Sequence, residues 1–445
     1  NRGEVAIRVL RAAKDLGLST VAVYSDADKN ALHLQYADET FNIGGAPPHL
    51  SYLHIPNIIN AAVQTGAQAI HPGYGFLAEN HRFAEVCKIW GIEFIGPPAQ
   101  AIEKMGVKAQ ARAIMAAAGV PIVPGSDGSV TSLAEAKKVA ERIGYPILVK
   151  ASLGGGGRGI QVVERPEDLA EALERSRREA EINFGQGDVY LEKRLMNPRH
   201  IEIQVIADKQ GHVVTLGERE SSLQRRRQKV LEEAPSTAIT PELREQMSAV
   251  AAHATQAVGY YGAGTFEFLL DETGHFYFME MNTRIQVEHA CTEMVTNRDL
   301  VKEQIRVAAG DPLSFTQDMV KMNGWSIECR INAEDPLQGF RPSPGHVRIW
   351  REPSGPWVRV DAGVAAGYDI VPFYDSLAAK LIVWGQDRQE AIMRMRRALD
   401  EFQIEGIATT IPLHQRILRD EEFVAGRLSI DFLENRLAQM TAELV

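Results

Sequence analysis

Cysteine is scarce. Cys87, Cys291 and Cys329 are the only three in 445 residues, widely spaced and odd in number. They form neither a disulfide framework nor the paired spacing of a zinc site, which predicts a reducing, cytoplasmic compartment. Long apolar runs are missing too: none approaches the about 20 residues of a membrane-spanning helix. No basic-then-apolar leader with a small-residue cleavage site opens the chain. Nor is there an excess of positive charge, since 58 acids against 48 Lys and Arg leave a net charge of −10, which argues against general nucleic-acid affinity. Asn1-Arg2-Gly3 stands where a dinucleotide fingerprint would, but its single glycine excludes NAD binding there. No Gly-Lys-Ser/Thr opens a helix, so a Walker loop is excluded as well. The first residue is not methionine and no strand precedes the first helix, so residues upstream of Asn1 are expected. What is present is ordinary for a globular chain of two or three domains: 45% hydrophobic and 24% charged residues, with no internal repeat or low-complexity tail.

Residues 4–16 carry helical apolar spacing closed by Gly17, and residues 20–24 read as a buried strand. Helices at 55–65 and 82–90 alternate with strands at 69–70 and 93–95, predicting an open parallel sheet. His71-Pro72-Gly73-Tyr74-Gly75 is either a ligand loop at a strand's C-terminal end or a tight turn. Pro97-Pro98 marks a boundary, followed by one helix over 99–118 with Lys108 near its middle, where a solvated helix charge is the plain alternative to a role. After a linker at 121–128 comes a small unit: helix 132–143, strand 146–150, a glycine run, strand 160–163, helix 166–180 and strand 189–193. From His200 the pattern turns antiparallel, with strands at 200–207 and 213–220, an acidic hairpin at 264–282, and helices at 241–258 and 292–309. A strand at 325–333 carries Glu328 and Arg330. Strands near 347–350, 357–360 and 380–383 and a helix at 387–402 complete the chain.

The acidic hairpin holds the first candidate site. Side chains alternate along a strand, so Glu267 shares a face with Thr265 and Leu269, and Glu280 with Asn282. An even-length turn centred on Thr273-Gly274 puts Glu267 opposite Glu280. Facing carboxylates repel, a cost that a cation between them relieves. Such hard oxygen ligands suit Mg²⁺ or Mn²⁺ shared with a nucleotide phosphate; a solvated acidic sheet face is the other reading. Asn282, Arg284, Gln286 and Glu288 continue the alternation, placing ligand, cation, amide and acid along one edge. In Ser152-Leu153-Gly154-Gly155-Gly156-Gly157-Arg158-Gly159 the backbone amides are unshielded and free to wrap anionic oxygens, with Lys150 as a point charge. A flexible hairpin tip is the alternative. The basic run Gln224-Arg225-Arg226-Arg227-Gln228-Lys229, in an acidic protein, reads as a site for small anions.

Together these features resemble the ATP-grasp fold, and within it the biotin carboxylase family. The stretches that carry the resemblance are Asn1-Arg2-Gly3-Glu4, residues 71–80, residues 150–159, Gln224-Arg225-Arg226, residues 280–289 and residues 330–336; it covers essentially the whole chain, and 280–289 is its most specific part. It implies a mixed α+β and α/β architecture. An N-terminal Rossmann-like domain (1–105) is followed by a linker and small mobile lid with its glycine flap (106–195), then by the ATP-grasp core and a C-terminal antiparallel-sheet domain (196–445). The implied activity is ATP-dependent carboxylation of biotin by bicarbonate through carboxyphosphate. That is the first half-reaction of acetyl-CoA carboxylase in fatty acid synthesis, or of another acyl-CoA, pyruvate or 2-oxoglutarate carboxylase.

By that resemblance Lys108 and Lys150 bind ATP phosphates, Gly156 and Gly157 belong to the lid, and Glu192, Lys193, Leu195, His200, Gln224 and Leu269 line the nucleotide. Glu267, Glu280 and Asn282 hold Mg²⁺ or Mn²⁺. Lys229, Arg284, Gln286 and the Val287 backbone hold bicarbonate, Glu288 is the base, and Arg330 meets the biotin ureido oxygen. Met319-Val320-Lys321-Met322 approaches a biotin attachment motif but is interrupted by Val320, so a separate biotin carboxyl carrier protein and a carboxyltransferase are implied partners. A homodimer is implied, with Arg11 and Asp15 at its contact. The sequence departs from the family's usual residues at Val107 (Asp), Ala290 (Pro), Arg227 (His), Ser221 (Cys) and Ile160 (Met). The rivals are another ATP-grasp carboxylate–amine ligase and a nucleotide-sensing scaffold; Arg284-Ile285-Gln286-Val287-Glu288 fits a bicarbonate pocket rather than an amino-acid one.

Overall fold

A computed structural model of the chain describes residues 1–152, 160–185 and 187–442. The expectations for Gly156, Gly157 and the rest of the glycine flap fall outside the described residues. The chain opens with α1 (Gly3–Asp15), whose Val5, Ile7, Leu10 and Ala12 are buried. Gly17 follows with φ +73°, the left-handed position that ends a helix. Strand β1 (Val21–Tyr24) pairs in parallel with β2 (Glu39–Asn42), and β3 (Ala69–Ile70) with β4 (Glu93–Phe94). The predicted parallel sheet is thus seen as two parallel pairs. β2 escaped the sequence reading because Glu39-Thr40-Phe41-Asn42 lies mostly exposed and has no apolar run. Helices α2 (Ile55–Thr65) and α3 (His81–Ile89) cover β3 and β4 through a core that includes Ile59, Phe83, Cys87 and Phe94.

The single helix expected over 99–118 is two helices, α4 (Ala99–Gly106) and α5 (Lys108–Ala117). Gly106 is a poor helix former, and Val107 is extended, with φ −97° and ψ 106°. Lys108 therefore opens a helix instead of sitting mid-helix. The small unit comes next, with α6 (Leu133–Ile143), β5 (Ile147–Ala151), β6 (Ile160–Val163), α7 (Leu169–Phe184) and β7 (Val189–Lys193). Its sheet is antiparallel in the order β6-β5-β7. Val149, Val163, Leu173 and Leu191 belong to a core of its own.

An eight-stranded antiparallel sheet organises the remainder. Its strands are β8 (Arg199–Ala207), β9 (Val213–Arg225), β10 (Gln228–Ala234), β11 (Gly262–Leu270), β12 (Phe276–Asn282), β13 (Trp325–Asn332), β14 (Val358–Ala362) and β15 (Leu377–Gly385). Their order is β12-β11-β8-β9-β10-β13-β15-β14. The basic run is the tip of a β9–β10 hairpin: Arg226 and Arg227, with φ of +46° and +66°, form its two-residue turn. α8 (Pro241–Ala257) packs over β8 and β9, with Met247, Ile203 and Phe266 in one core. The helix expected at 292–309 is broken into α9 (His289–Thr296) and α10 (Leu300–Ala309). Left-handed Asn297 stops the first, and the Asp299 carboxylate caps the second at the Lys302 amide. α11 (Arg388–Glu401) closes the far end against β13 and β15, joining Met395 and Leu399 to Ile327 and Leu381. All three cysteines are free and buried. Among the described residues no helix is long and apolar enough to cross a membrane.

Candidate active site

Glu267 and Glu280 face each other across β11 and β12, as the hairpin predicts, but by another route. Leu270 pairs with Phe276 around an odd, five-residue loop, and a bulge between Glu267 and Phe268 takes up Met279. The odd loop and the extra residue cancel. On the other side of β11, Glu267 is the register partner of Glu202 on β8, and Glu202 of Arg219 on β9. Three acids therefore stand in a row across three strands and end on an arginine. All lie on one face of the sheet, which floors a cavity of about 760 Å³ lined on its other side by residues of β5 and β7 of the small unit.

A row of like charges needs cations. Lys229 on β10 supplies the first: its ammonium bonds Glu202, Glu267 Oε1 at 2.7 Å and Glu288 Oε1 at 2.8 Å. Burial alone would lower the Lys229 pKa, but Glu202, Glu267 and Glu288 push it well above the usual lysine value. Arg219, fully buried, donates to Glu202 Oε2 at 3.1 Å, Gln204 Oε1 at 2.7 Å and Gln286 Oε1 at 2.7 Å. His200, Glu202 and Glu267 converge closely enough to suggest a metal cluster, yet the Lys229 ammonium already bonds both acids there.

At the other end of the row the described residues supply less positive charge: Glu280 pairs with Lys108, at 3.9 Å. Burial and then the facing Glu267 raise its carboxyl above the ordinary range. Asn282, two residues on and opposite Thr265, gives its amide to Glu267 Oε1 at 2.7 Å. Two facing carboxylates and an amide oxygen form a hard donor set, and the repulsion that remains between them is what a divalent ion relieves, so the residues fit Mg²⁺ or Mn²⁺.

β12 ends at Asn282, so Arg284, Gln286 and Glu288 do not continue along a strand edge. Their segment leaves the sheet, is anchored by buried Ile285, and brings Glu288 to the start of α9. Arg284 donates to Glu79 Oε2 at 3.0 Å and Asn282 Oδ1 at 2.8 Å. Gln286 donates to Glu267 at 2.8 Å. Lys380, a buried lysine in an apolar strand, donates to the Val287 carbonyl at 2.7 Å. Glu288 lies between two cations, Lys229 and Arg330, the latter 2.9 Å from Oε2. Burial would raise its carboxyl, but Lys229 and then Arg330 hold it well below the carboxylate range, ionised and able to accept a proton.

Nearer the small unit, Lys150 bonds Glu192, which also takes Arg112 at 2.5 Å. Gln224 meets His200 Nδ1 at 2.9 Å, and Leu269 joins them in the cavity lining. Lys193 and Leu195 do not line it: the Lys193 ammonium is turned onto the Gly144 and Tyr145 carbonyls at 3.0 and 2.9 Å. Glu202, Arg219, Glu232, Lys380 and Glu79 belong to the site but were not singled out in the sequence. Only for Lys380 was there a signal, one charged residue in an otherwise apolar strand.

Three family models match the chain: biotin carboxylase N-terminal domain over residues 1–102, carbamoyl-phosphate synthase L chain ATP binding domain over 107–316, and biotin carboxylase C-terminal domain over 328–435. Biotin carboxylase 1 of Bacillus subtilis (strain 168) is 54% identical over 435 residues, covering 98% of this chain and 97% of that one. Among solved structures, the biotin carboxylase domain dimer of Hydrogenobacter thermophilus 2-oxoglutarate carboxylase, in complex with MgADP, ADP and bicarbonate, superposes with a TM-score of 0.94. It is 50% identical and covers 99% of this chain and 97% of that one. The biotin carboxylase component of a pyruvate carboxylase superposes with a TM-score of 0.88, also at 50% identity and with the same 99% and 97% coverage.

Proposed function

The chain belongs to the biotin carboxylase family of ATP-grasp enzymes, and from that premise we propose that it uses ATP and bicarbonate to carboxylate biotin on a separate carrier protein. The observation that carries this reading is Glu288, held between Lys229 and Arg330, with the same Lys229 ammonium bonding Glu267 of the facing pair Glu267 and Glu280. Bicarbonate is a weak nucleophile. Lys229, Arg284, Gln286 and the Val287 backbone would hold it, and Glu288 would take its proton as the oxygen attacks the γ-phosphate. Lys108 and Lys150 would steady the phosphates, while Glu192, His200, Gln224 and Leu269 line the nucleotide, with the Lys193 and Leu195 segment beside them. Glu267, Glu280 and Asn282 would hold Mg²⁺ or Mn²⁺, which when bound offsets the charge on the transferred phosphoryl group.

Attack gives carboxyphosphate and ADP. Carboxyphosphate then breaks to CO₂ and phosphate, and the phosphate takes the proton from biotin N1. Arg330 would stabilise the oxyanion that develops on the ureido group. Closure of the small unit, with Gly156 and Gly157 in its flap, would keep water from carboxyphosphate. Purified chain should hydrolyse ATP only with bicarbonate present, faster with free biotin, and Glu288→Gln should abolish that turnover. Biotin-independent, bicarbonate-independent hydrolysis would overturn the reading.

The parent system is proposed to be acetyl-CoA carboxylase of fatty acid synthesis, working in the cytoplasm with a biotin carboxyl carrier protein and a carboxyltransferase. The carboxyltransferase that co-purifies with the chain decides among acetyl-CoA, pyruvate and 2-oxoglutarate. A homodimer is proposed through the surface around Arg11, which stacks on Tyr36, and Asp15, 2.7 Å from Lys302. Light scattering that finds only monomer at micromolar concentration would remove it.

A further inference from the structure

Behind Arg330 the sheet holds a second pair of facing acids. Glu232 on β10 and Glu328 on β13 are direct register partners, and neither has any solvent exposure. Partners of this kind stand about 4.5–5.5 Å apart at Cβ. Arg330, two residues along β13 from Glu328, donates to Glu232 Oε1 at 2.6 Å and to Glu288 at 2.9 Å. The other oxygen of Glu232 and both oxygens of Glu328 are buried without a hydrogen-bond partner.

Two bare carboxylates do not stay ionised side by side in such a place. A proton on one acid, donated to the other, satisfies one oxygen of each and reduces three orphaned acceptors to one. Among the described residues no other donor reaches those oxygens. Lys380, opposite Arg330 on β15, gives one N–H to the Val287 carbonyl and lies 3.5 Å from Glu4 and 3.6 Å from Asp361. Cys291 of α9 reaches the Glu232 backbone carbonyl at 3.8 Å, not its carboxylate. Cys329 stands beside the pair as a buried thiol, Lys229 and Arg219 are committed to the acid row, and Glu288 adds a further negative charge. Glu233 turns away to Arg388 and Trp325.

We propose that Glu232 and Glu328 share one proton across β10 and β13, and that the pair so charged positions Arg330 between Glu232 and Glu288, ready for the biotin ureido oxygen. Both are positioning residues, acting through Arg330, and the proposal rests on the reading of Arg330 given above. With one proton the pair carries a single charge, matched by one guanidinium. Without it two charges draw Arg330 down into the sheet, away from the cavity. Burial, opposed by Lys380 and reinforced by Glu232, pushes the Glu328 carboxyl well above its ordinary value, and burial raises Glu232 to about 7. The two titrate as a unit.

The test is a pH series of biotin-dependent turnover beside bicarbonate-dependent ATP cleavage without biotin. In the parent, kcat/KM for biotin should fall about tenfold per pH unit once the shared proton leaves, with no such limb in the biotin-free reaction. Glu328→Gln keeps a donor toward Glu232 and should lack that limb; Glu328→Met, without a donor, should fall at least about tenfold below Glu328→Gln in kcat/KM for biotin. An unchanged limb in Glu328→Gln, or equal values for the two variants, overturns the proposal. If neither variant folds, infrared spectroscopy at about pH 8, far above ordinary carboxyl titration, decides: a protonated carboxylic-acid band that persists in Glu280→Gln supports the shared proton, and its absence from the parent or loss in Glu280→Gln overturns it. A parent with no biotin-stimulated turnover refutes the proposed function instead, and the infrared result then stands alone for the pair.

Discussion

Glu288 and Glu328 are both buried glutamates close to Arg330, yet their surroundings drive them to opposite charge states. Glu288 bonds two cations directly. Glu328 bonds none, and its nearest register partner is another acid. Burial is the same for both; the number of directly bonded cations differs. A site that needs a proton acceptor thus has one kept ionised by Lys229, while a neutral acid lies on the strand behind it.

The strongest way to break that contrast is to remove Lys229. Lys229→Met strands Glu202, Glu267 and Glu288 without their shared cation, and should cost about 3–5 kcal/mol in denaturant unfolding and at least about 10²-fold in kcat. Arg330→Met leaves Lys229 on Glu288, so its effect should fall on the biotin step. Biotin-dependent kcat/KM should drop about 10²-fold, with bicarbonate-dependent ATP cleavage reduced less. Glu280→Gln removes the repulsion at the open end of the acid row; the metal concentration for half-maximal activity should rise about 10–100-fold in a Mg²⁺ or Mn²⁺ titration.

The pH behaviour sharpens the same comparison. Glu288, held below its unfolded value by Lys229 and Arg330, contributes stability that is present above about pH 4.3 and lost as pH falls through its folded pKa. Glu328, held above, contributes with the opposite sign and is lost as pH rises through its own. Denaturant midpoints of Glu288→Gln and Glu328→Gln against pH should therefore differ from the parent at opposite ends of the scale. The smallest effect is expected at Val107, the N-cap of α5 with no side-chain bond. Val107→Asp should stabilise the chain by about 1 kcal/mol, read as a raised Tm.

Much of the architecture was legible because apolar spacing is local. Helix 55–65 and strands 160–163 and 189–193 fall where the pattern puts them. The breaks at Val107 and Asn297 were not, since a single residue in an extended or left-handed conformation leaves helical spacing intact on both sides. β10 was hidden because its start is the charged tip of a hairpin, where Arg226 and Arg227 occupy turn positions usually given to Asn and Gly. In the site, Glu267 and Glu280 could be read from one hairpin. The pairings of Glu202 with Glu267, Glu232 with Glu328, and Lys380 with Arg330 could not, because those partners lie on strands far apart in sequence and only the register of the sheet brings them together.

The five-residue loop of the β11–β12 hairpin and the bulge at Met279 sit on opposite sides of three paired rungs. Because those rungs, rather than the loop, fix which residues oppose each other, the loop's length is free to change without turning either glutamate away. Residues 272–275 are exposed. A peptide tag or a fluorescent label can therefore be spliced into that tip as a reporter on the working enzyme, whereas the same insertion one strand-length further in would scramble its chemistry.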